Sequence, residues 1–386
     1  MPRQLSFTVY VLLFLLLLGP FGVLPLGIEN VNVYLSDIFV GILTLSWVFR
    51  WKEFLALIWK NQFIQLFFLF VAIAFVSNIV TPLRLNSIER SISFLYLARF
   101  VGYFSIFLTF QRFTKTLADS SFVSHRFAQV GLFISIIGWL QYFLYPDLRN
   151  LFYLGWDPHY KRIFATYFDP NYLGLLLVFS LILYLFEKRS SFLFFIKPAI
   201  IFVTLLFTYS RSSYATLLAV LGYYAISMKK YLYVFGAIIL LGGSIVLLPR
   251  PGGEGVKLER LFSLYQRIEN WRLGLLIFSE HPIMGVGFNT IRYAKQMYVV
   301  SEGDYRTNHS GAGLDNSFLF VAATTGIIGF GVFLILLWQL FFSVHRIARL
   351  TLVAVIVHSM FVNSLFFPWI MMWVWSICGA NWKRKT

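Results

Sequence analysis

The chain has 386 residues, 59% of them hydrophobic, 20% aromatic and only 12% charged. Soluble domains carry about 25% charged residues, and one water-facing core cannot hide this much apolar side chain. Net charge is +16, but the basic residues cluster at the ends of apolar segments, which reports membrane orientation and argues against nucleic-acid binding. Cys378 is the single cysteine, which leaves no room for a disulfide framework or a cysteine metal site.

A transmembrane helix needs about 20 mostly apolar residues. Segments of this character run over 6–27, 34–49, 62–80, 92–110, 127–145, 172–187, 192–209, 213–228, 231–248, 317–342, 350–366 and 367–380. The expected fold is an all-α polytopic membrane bundle of about 12 transmembrane helices, with residues 1–386 forming a single transmembrane domain. The first segment passes Pro20 without a small-residue cleavage site and reads as a retained span. With the N-terminus inside, the cytoplasmic loops and inner helix ends hold seventeen basic residues against three acidic ones. That asymmetry predicts cytoplasmic N- and C-termini. The last two segments are divided only by Phe366-Phe367-Pro368, so they also read as one kinked or re-entrant element.

Arg99 lies seven residues into the fourth segment, about 10 Å below the outer surface. A charge at that depth is costly and lines a polar cavity or pairs with a carboxylate. Upstream of the sixth segment, Asp169-Pro170-Asn171 reads as a turn and helix start, with Asp169 as cap and Pro170 in the first helical position. Arg162, just before it, is a candidate anion contact. Thr208-Tyr209-Ser210-Arg211-Ser212-Ser213-Tyr214 ends the seventh segment. Ser212 or Ser213 is the expected cap there, and Arg211 beside a helix start suits a phosphate.

Residues 249–316 form the one large polar segment, expected outside the membrane. Within it Leu258, Leu261, Phe262, Tyr265, Ile268, Trp271, Leu275 and Phe278 recur at helical spacing and predict an amphipathic helix against the membrane surface or the bundle. Arg267 falls on its polar side, whereas Arg272 falls on the apolar stripe. There it either snorkels to lipid phosphates or meets an anionic partner. Next, His281-Pro282-Ile283-Met284-Gly285-Val286-Gly287 stops the helix, and Gly285 and Gly287 answer a backbone requirement better than a phosphate cradle. His309, Asp315 and Asn316 precede the tenth segment. A carboxylate or imidazole at this place suits a general base, and Asp315 or Asn316 equally suits a helix cap.

The order of Arg211, the amphipathic helix with Arg272, the Gly285-Val286-Gly287 turn and Asp315-Asn316 resembles the O-antigen ligase/polymerase superfamily, the Wzy/WaaL-like lipid-linked glycan transferases. The similarity covers about residues 160–365. In the ligase branch a His precedes an Asn, Ser or Gln, followed by nine residues and Gly-x-x-Gly. Here Asn316 and Gly326-Ile327-Ile328-Gly329 fit that spacing, but Asp315 stands where the ligase has the His proposed as its base. The departure favours a polymerase.

What the resemblance implies is a GT-C-related, metal-independent inverting glycosyltransferase of the bacterial inner membrane, active on the periplasmic side and needing no cofactor. Its donor would be an undecaprenyl-pyrophosphate-linked saccharide and its acceptor a glycan hydroxyl. A chain-length regulator or flippase would be its protein partner. On that reading Arg211 and Arg272 bind the pyrophosphate with help from Arg99 and Arg162, and Asp315 or His309 is the base. Asn316, Gly285, Gly287 and Gly326 carry the motifs. A ligase acting on lipid A core or protein is the alternative within the enzyme class. A transporter or flippase of lipid-linked sugars is the alternative outside it.

Overall fold

The computed structural model describes residues 3–24, 31–154, 156–187, 193–259, 261–298 and 313–383. Among them, regular structure is helical save for one antiparallel pair, Val23–Leu24 against Val33–Tyr34. The α-helices are, in chain order, α1 (Arg3–Leu18), α2 (Leu35–Val48), α3 (Trp51–Lys60), α4 (Gln62–Ile79), α5 (Ser87–Phe113), α6 (Leu117–Leu144), α7 (Pro170–Tyr184) and α8 (Leu193–Phe207). They continue as α9 (Arg211–Met228), α10 (Leu232–Leu247), α11 (Phe262–Glu280), α12 (Ile291–Lys295), α13 (Ser317–Ser343), α14 (Arg346–His358) and α15 (Pro368–Ala380).

Among the described residues, five stretches are long and apolar enough to cross a membrane: Arg3–Gly22, Gln62–Ile79, Ser87–Phe113, Leu117–Leu144 and Ser317–Ser343. The other expected segments also fall on helices, but shorter or less apolar ones. One helix falls outside the expected segments, and one expected segment is shorter. Residues 51–60 lie between the second and third segments. They are helical as α3, which buries none of its residues and exposes Trp51, Leu55 and Trp59, the pattern of a helix lying in the headgroup region. The eleventh segment stops early, because α14 ends at His358 and the chain turns before Pro368 opens α15 at its first helical position. The last two segments are thus two separate helices.

All of α15 is buried, consistent with a helix that is apolar on every side and sits in the bundle interior. It lies closely on α5. A Cβ on Gly379 would stand 2.6 Å from the Phe107 carbonyl oxygen, so a small residue sets the approach of the two backbones. Phe104 of α5 stacks on Phe67 of α4 at 3.7 Å and meets Trp375 of α15 edge-on at 5.2 Å. These rings fill the centre where α4, α5 and α15 meet.

One break organises the face that carries the large polar segment. In α13, Gly326 has φ 65° and ψ −171°, so the helix is interrupted there. Residues 282–287 fill the gap. Val286 N–H donates to the Ala323 carbonyl (3.0 Å), Gly287 N–H to the Thr324 carbonyl (3.0 Å), and Ile327 N–H to the Pro282 carbonyl (2.7 Å). The backbone groups released by the kink are thereby satisfied by a second segment, as an apolar environment requires. Contact is too close for side chains on either partner. A Cβ on Gly326 would lie 2.1 Å from the Ile283 oxygen, and one on Gly285 would lie 2.4 Å from the Thr324 carbonyl carbon.

Gly285→Ala and Gly326→Ala are each expected to cost about 3 kcal/mol, from overpacking and from a positive φ that only glycine holds without strain. Gly222→Ala and Gly331→Ala, where an added Cβ meets nothing within 4 Å, should be neutral or gain up to about 1 kcal/mol of helix propensity. Thermal midpoints of the detergent-solubilised variants compare the two pairs. Equal midpoints across all four would show that the docked loop does not stabilise the bundle.

Candidate active site

A cavity of about 1520 Å³ opens between α11, α12, α5 and the turns before α7, α13 and α15. Single-ligand pockets run to about 1,000 Å³, so this one has room for two substrates. Its inner wall is aromatic, with Tyr34, Phe100, Tyr167, Tyr172, Phe288 and Phe366. Arg99, Arg272, Arg292 and Lys295 bring positive charge to its lining, and Asp157, Asp169, Glu269 and Asp315 bring negative charge.

Arg99 reaches this cavity from α5, but its charge is already met. It donates to Asp37 Oδ2 of α2 at 2.8 Å and to the Asn32 carbonyl, and its guanidinium lies over the Tyr34 and Tyr96 rings at 5.7 and 5.0 Å. Asp37 also accepts from Tyr103 Oη (3.1 Å) and Tyr34 N–H (2.9 Å). Of the two sequence-level readings of Arg99, both the carboxylate pair and the cavity position are present.

Asp315 stands at the mouth of α13, held from α11. Its N–H donates to Asn270 Oδ1 at 3.0 Å, and its carbonyl accepts from Trp271 Nε1 at 3.4 Å. Asp315 is among the residues that line the cavity. Burial pushes its pKa up, against the opposing charges of Arg267 and Lys295. Asn316 caps α13, its Oδ1 accepting from the Phe318 and Leu319 N–H groups at 2.9 and 3.0 Å. The capping role thus goes to Asn316, which leaves the Asp315 side chain for the cavity. His309 lies outside the described residues.

The remaining arginines divide. Arg272 lines the cavity, four-fifths exposed and 3.9 Å from Glu269 one turn back on α11. Arg211 is not among the residues lining it. Its guanidinium donates to the Leu258 carbonyl (3.1 Å) and to Ser263 Oγ (2.6 Å), so it ties the start of α9 to the start of α11. Ser210, two residues before the first of the serines expected from the sequence, is the α9 cap. Arg162 is buried away from the cavity and spends its guanidinium on the Thr208 carbonyl at 2.8 Å and the Tyr209 carbonyl at 3.4 Å. In the structure it braces the α7 approach against the α8–α9 turn, a buried guanidinium taking the nearest carbonyls as partners. Gly285 and Gly287 hold positive φ angles of 68° and 105° in the docked loop.

Residues 198–334 match the family model described as O-antigen ligase. This region belongs to the O-antigen ligase/polymerase superfamily. No curated protein sequence matches the chain. The superfamily region runs from within α8 to within α13 and takes in Arg211, Arg272, Gly285, Gly287, Asp315, Asn316 and Gly326. It is narrower than the 160–365 stretch read from the motifs, and Arg99 and Arg162 precede it. The match supports a glycosyl-transferring function of O-antigen ligase/polymerase type. Together with the apolar helices it makes the protein an integral membrane protein.

Several residues at the O-antigen ligase-like site escape a linear reading. Arg292 and Lys295 fall in a stretch without strong periodicity, and only the fold turns both toward the cavity. Asp169 caps α7 through Asn171 N–H, as expected, yet it also lines the cavity, and burial pushes its carboxyl to about 6. Asp37 gave no signal beyond a lone acid near a helix start. Arg99→Leu should cost about 3 kcal/mol, because it strands Asp37 in a buried setting. Adding Asp37→Asn should recover most of that loss. A double variant no more stable than the single would show that the two side chains do not act as a pair.

Proposed function

We propose that the protein is an extracytoplasmic glycan polymerase that transfers saccharide from a polyprenyl-pyrophosphate carrier to a sugar hydroxyl. One observation carries the reading: a cavity larger than one substrate, with an aromatic wall for sugar rings and with both cationic side chains and the half-buried Asp315 in its lining. Sugars stack their apolar faces on aromatic rings, and a leaving pyrophosphate needs positive charge in a low-dielectric site.

In this scheme Asp315 takes the proton of the acceptor hydroxyl. The oxygen then bonds to the anomeric carbon of the donor while the bond from that carbon to the phosphate oxygen breaks. The electron pair leaves with the polyprenyl pyrophosphate, and the anomeric configuration inverts. Arg272 stabilises the departing charge and Arg99 shapes the wall. Arg211 acts by holding α11, the helix that carries Arg272 and fixes Asp315 through Asn270 and Trp271. His309 is the second candidate for the base. Charged side chains stand in this scheme where a metal would otherwise stabilise the leaving group, so turnover should persist in EDTA.

The description of the matching family favours a second reading, a ligase that passes finished glycan to lipid A core or protein. Cells lacking the protein separate the two. Capped single repeats without long chains mark a polymerase, whereas intact lipid-linked polymer that never reaches its acceptor marks a ligase. A transporter would require an energy source to act on its substrate. Elongation of a synthetic lipid-pyrophosphate saccharide by purified protein alone would discard that reading.

Asp315→Asn should lower turnover by about 10²- to 10⁴-fold, the usual contribution of a general base. A base works deprotonated and burial raises this carboxyl, so wild-type turnover should fall on acidification at a pH above the ordinary carboxylate value of about 4. A limb at or below that value would remove Asp315 from the role. Arg272→Ala should cost about 10²-fold in turnover with an unchanged thermal midpoint. Arg211→Ala should lose turnover together with thermal stability, because α11 loses its tie. Normal polymer yield from Arg272→Ala at matched expression would overturn that assignment.

A further inference from the structure

The four basic side chains lining the cavity are not equivalent. Arg99 faces Asp37, and Arg272 has Glu269 as its neighbour along α11. Lys295 is different. It is 7% exposed, and its Nζ donates to the Gly313 carbonyl at 2.5 Å, a neutral partner. Among the described residues no carboxylate lies within ion-pair distance of it, although it senses Asp315 at longer range. Arg292 stands three residues earlier on α12 and lines the same cavity. Positions three apart on a helix face one way, with about 5–6 Å between Cβ atoms. Two cations therefore point together into a cavity large enough for two substrates.

Keeping a lysine charged in so buried a place is unfavourable. Burial and the neighbouring Arg292 lower its pKa to about 8, with Asp315 opposing. An anion between the two side chains would remove that penalty. The position beside Asp315 also matters. A base at the acceptor oxygen and a leaving group on the donor must flank one anomeric carbon, so the leaving phosphate departs only a few ångströms beyond the base. The C-terminal end of α12 is held twice, by Lys295 on Gly313 and, three residues on, by Tyr298 Oη donating to Glu280 of α11, so the pair is presented on a braced element.

We propose that Arg292 and Lys295 form the site that grips the pyrophosphate of the lipid-linked donor, with Lys295 on the phosphate nearer the sugar. The assignment rests on the transferase reading above. It adds α12 to Arg272 of α11 as a source of pyrophosphate contacts, whereas Arg211 of α9 is engaged by Leu258 and Ser263.

Farnesyl pyrophosphate, a short polyprenyl pyrophosphate, serves as the probe, with farnesol as its uncharged control. Titration into the purified, detergent-solubilised protein should show binding of the pyrophosphate that is at least tenfold tighter than that of farnesol. Arg292→Gln and Lys295→Gln should each weaken it about tenfold or more, and Lys295→Arg should restore most of the lost affinity. Variants that bind within twofold of wild type would overturn the site, as would a Lys295→Arg that binds no better than Lys295→Gln. Should inorganic pyrophosphate fail to compete while glucuronate does, the site belongs to an acidic sugar and the proposal fails. Elongation of a synthetic polyprenyl-pyrophosphate saccharide is measured in parallel. If wild type elongates it and both Gln variants keep their KM, the pair is not the donor site. If wild type does not elongate it but farnesyl pyrophosphate binding still depends on both residues, the anion site stands and the transferase reading falls.

Discussion

The break in α13 at Gly326 is the constraint on which the polar face of this protein depends. An interrupted helix in an apolar bundle releases carbonyl and N–H groups that cost several kcal/mol if left bare. Here the turn at 282–287 satisfies Ala323, Thr324 and Ile327 with three backbone bonds. Because the partners are backbones at contact distance, no side chain fits between Gly285 and Gly326. The end of α11 is therefore held to the middle of α13, and everything between them inherits that register.

The same element is fixed twice more. At its start, Arg211 reaches from α9 to the Leu258 carbonyl and Ser263. In its middle, Gly274 lets α11 close on Leu314 and Leu319, since a Cβ there would stand 2.9 and 2.7 Å from them. Asn270 and Trp271 then hold the backbone of Asp315. Three attachments along a helix of 19 residues leave little freedom at the acid that faces the cavity. Beneath this, a buried chain of hydrogen bonds joins Asn171, Ser210, Ser212, His358 and Ser364, tying the starts of α7 and α9 to the end of α14. Every member has a partner, so the network rigidifies the floor under the site.

Charge on the cavity is balanced locally more than globally. Basic residues dominate the sequence, yet acids from four different stretches reach the lining, namely Asp157, Asp169, Glu269 and Asp315. Asp37 lies behind Arg99 and neutralises it. A transferase needs both signs at close quarters, one to accept a proton and one to meet a departing phosphate, and the low dielectric of the bundle strengthens each.

Composition and hydropathy were enough to establish a membrane helix bundle and to place most helices, because an apolar segment of about 20 residues has few other fates. Superfamily resemblance was legible as well, since Asn316, Gly326 and the Gly285-Val286-Gly287 turn lie at fixed spacings along the chain. Capping roles for Asp169 and Asn316 were readable for a similar reason, being local backbone chemistry. Tertiary structure alone decided which charges meet. Arg162 and Arg211 looked like phosphate ligands in the linear sequence but are engaged by carbonyls brought from distant segments, whereas Arg292 and Lys295 gave no local signal and line the cavity. Whether a guanidinium or ammonium is available to a substrate depends on partners tens of residues away, and such long-range contacts leave no periodicity to read.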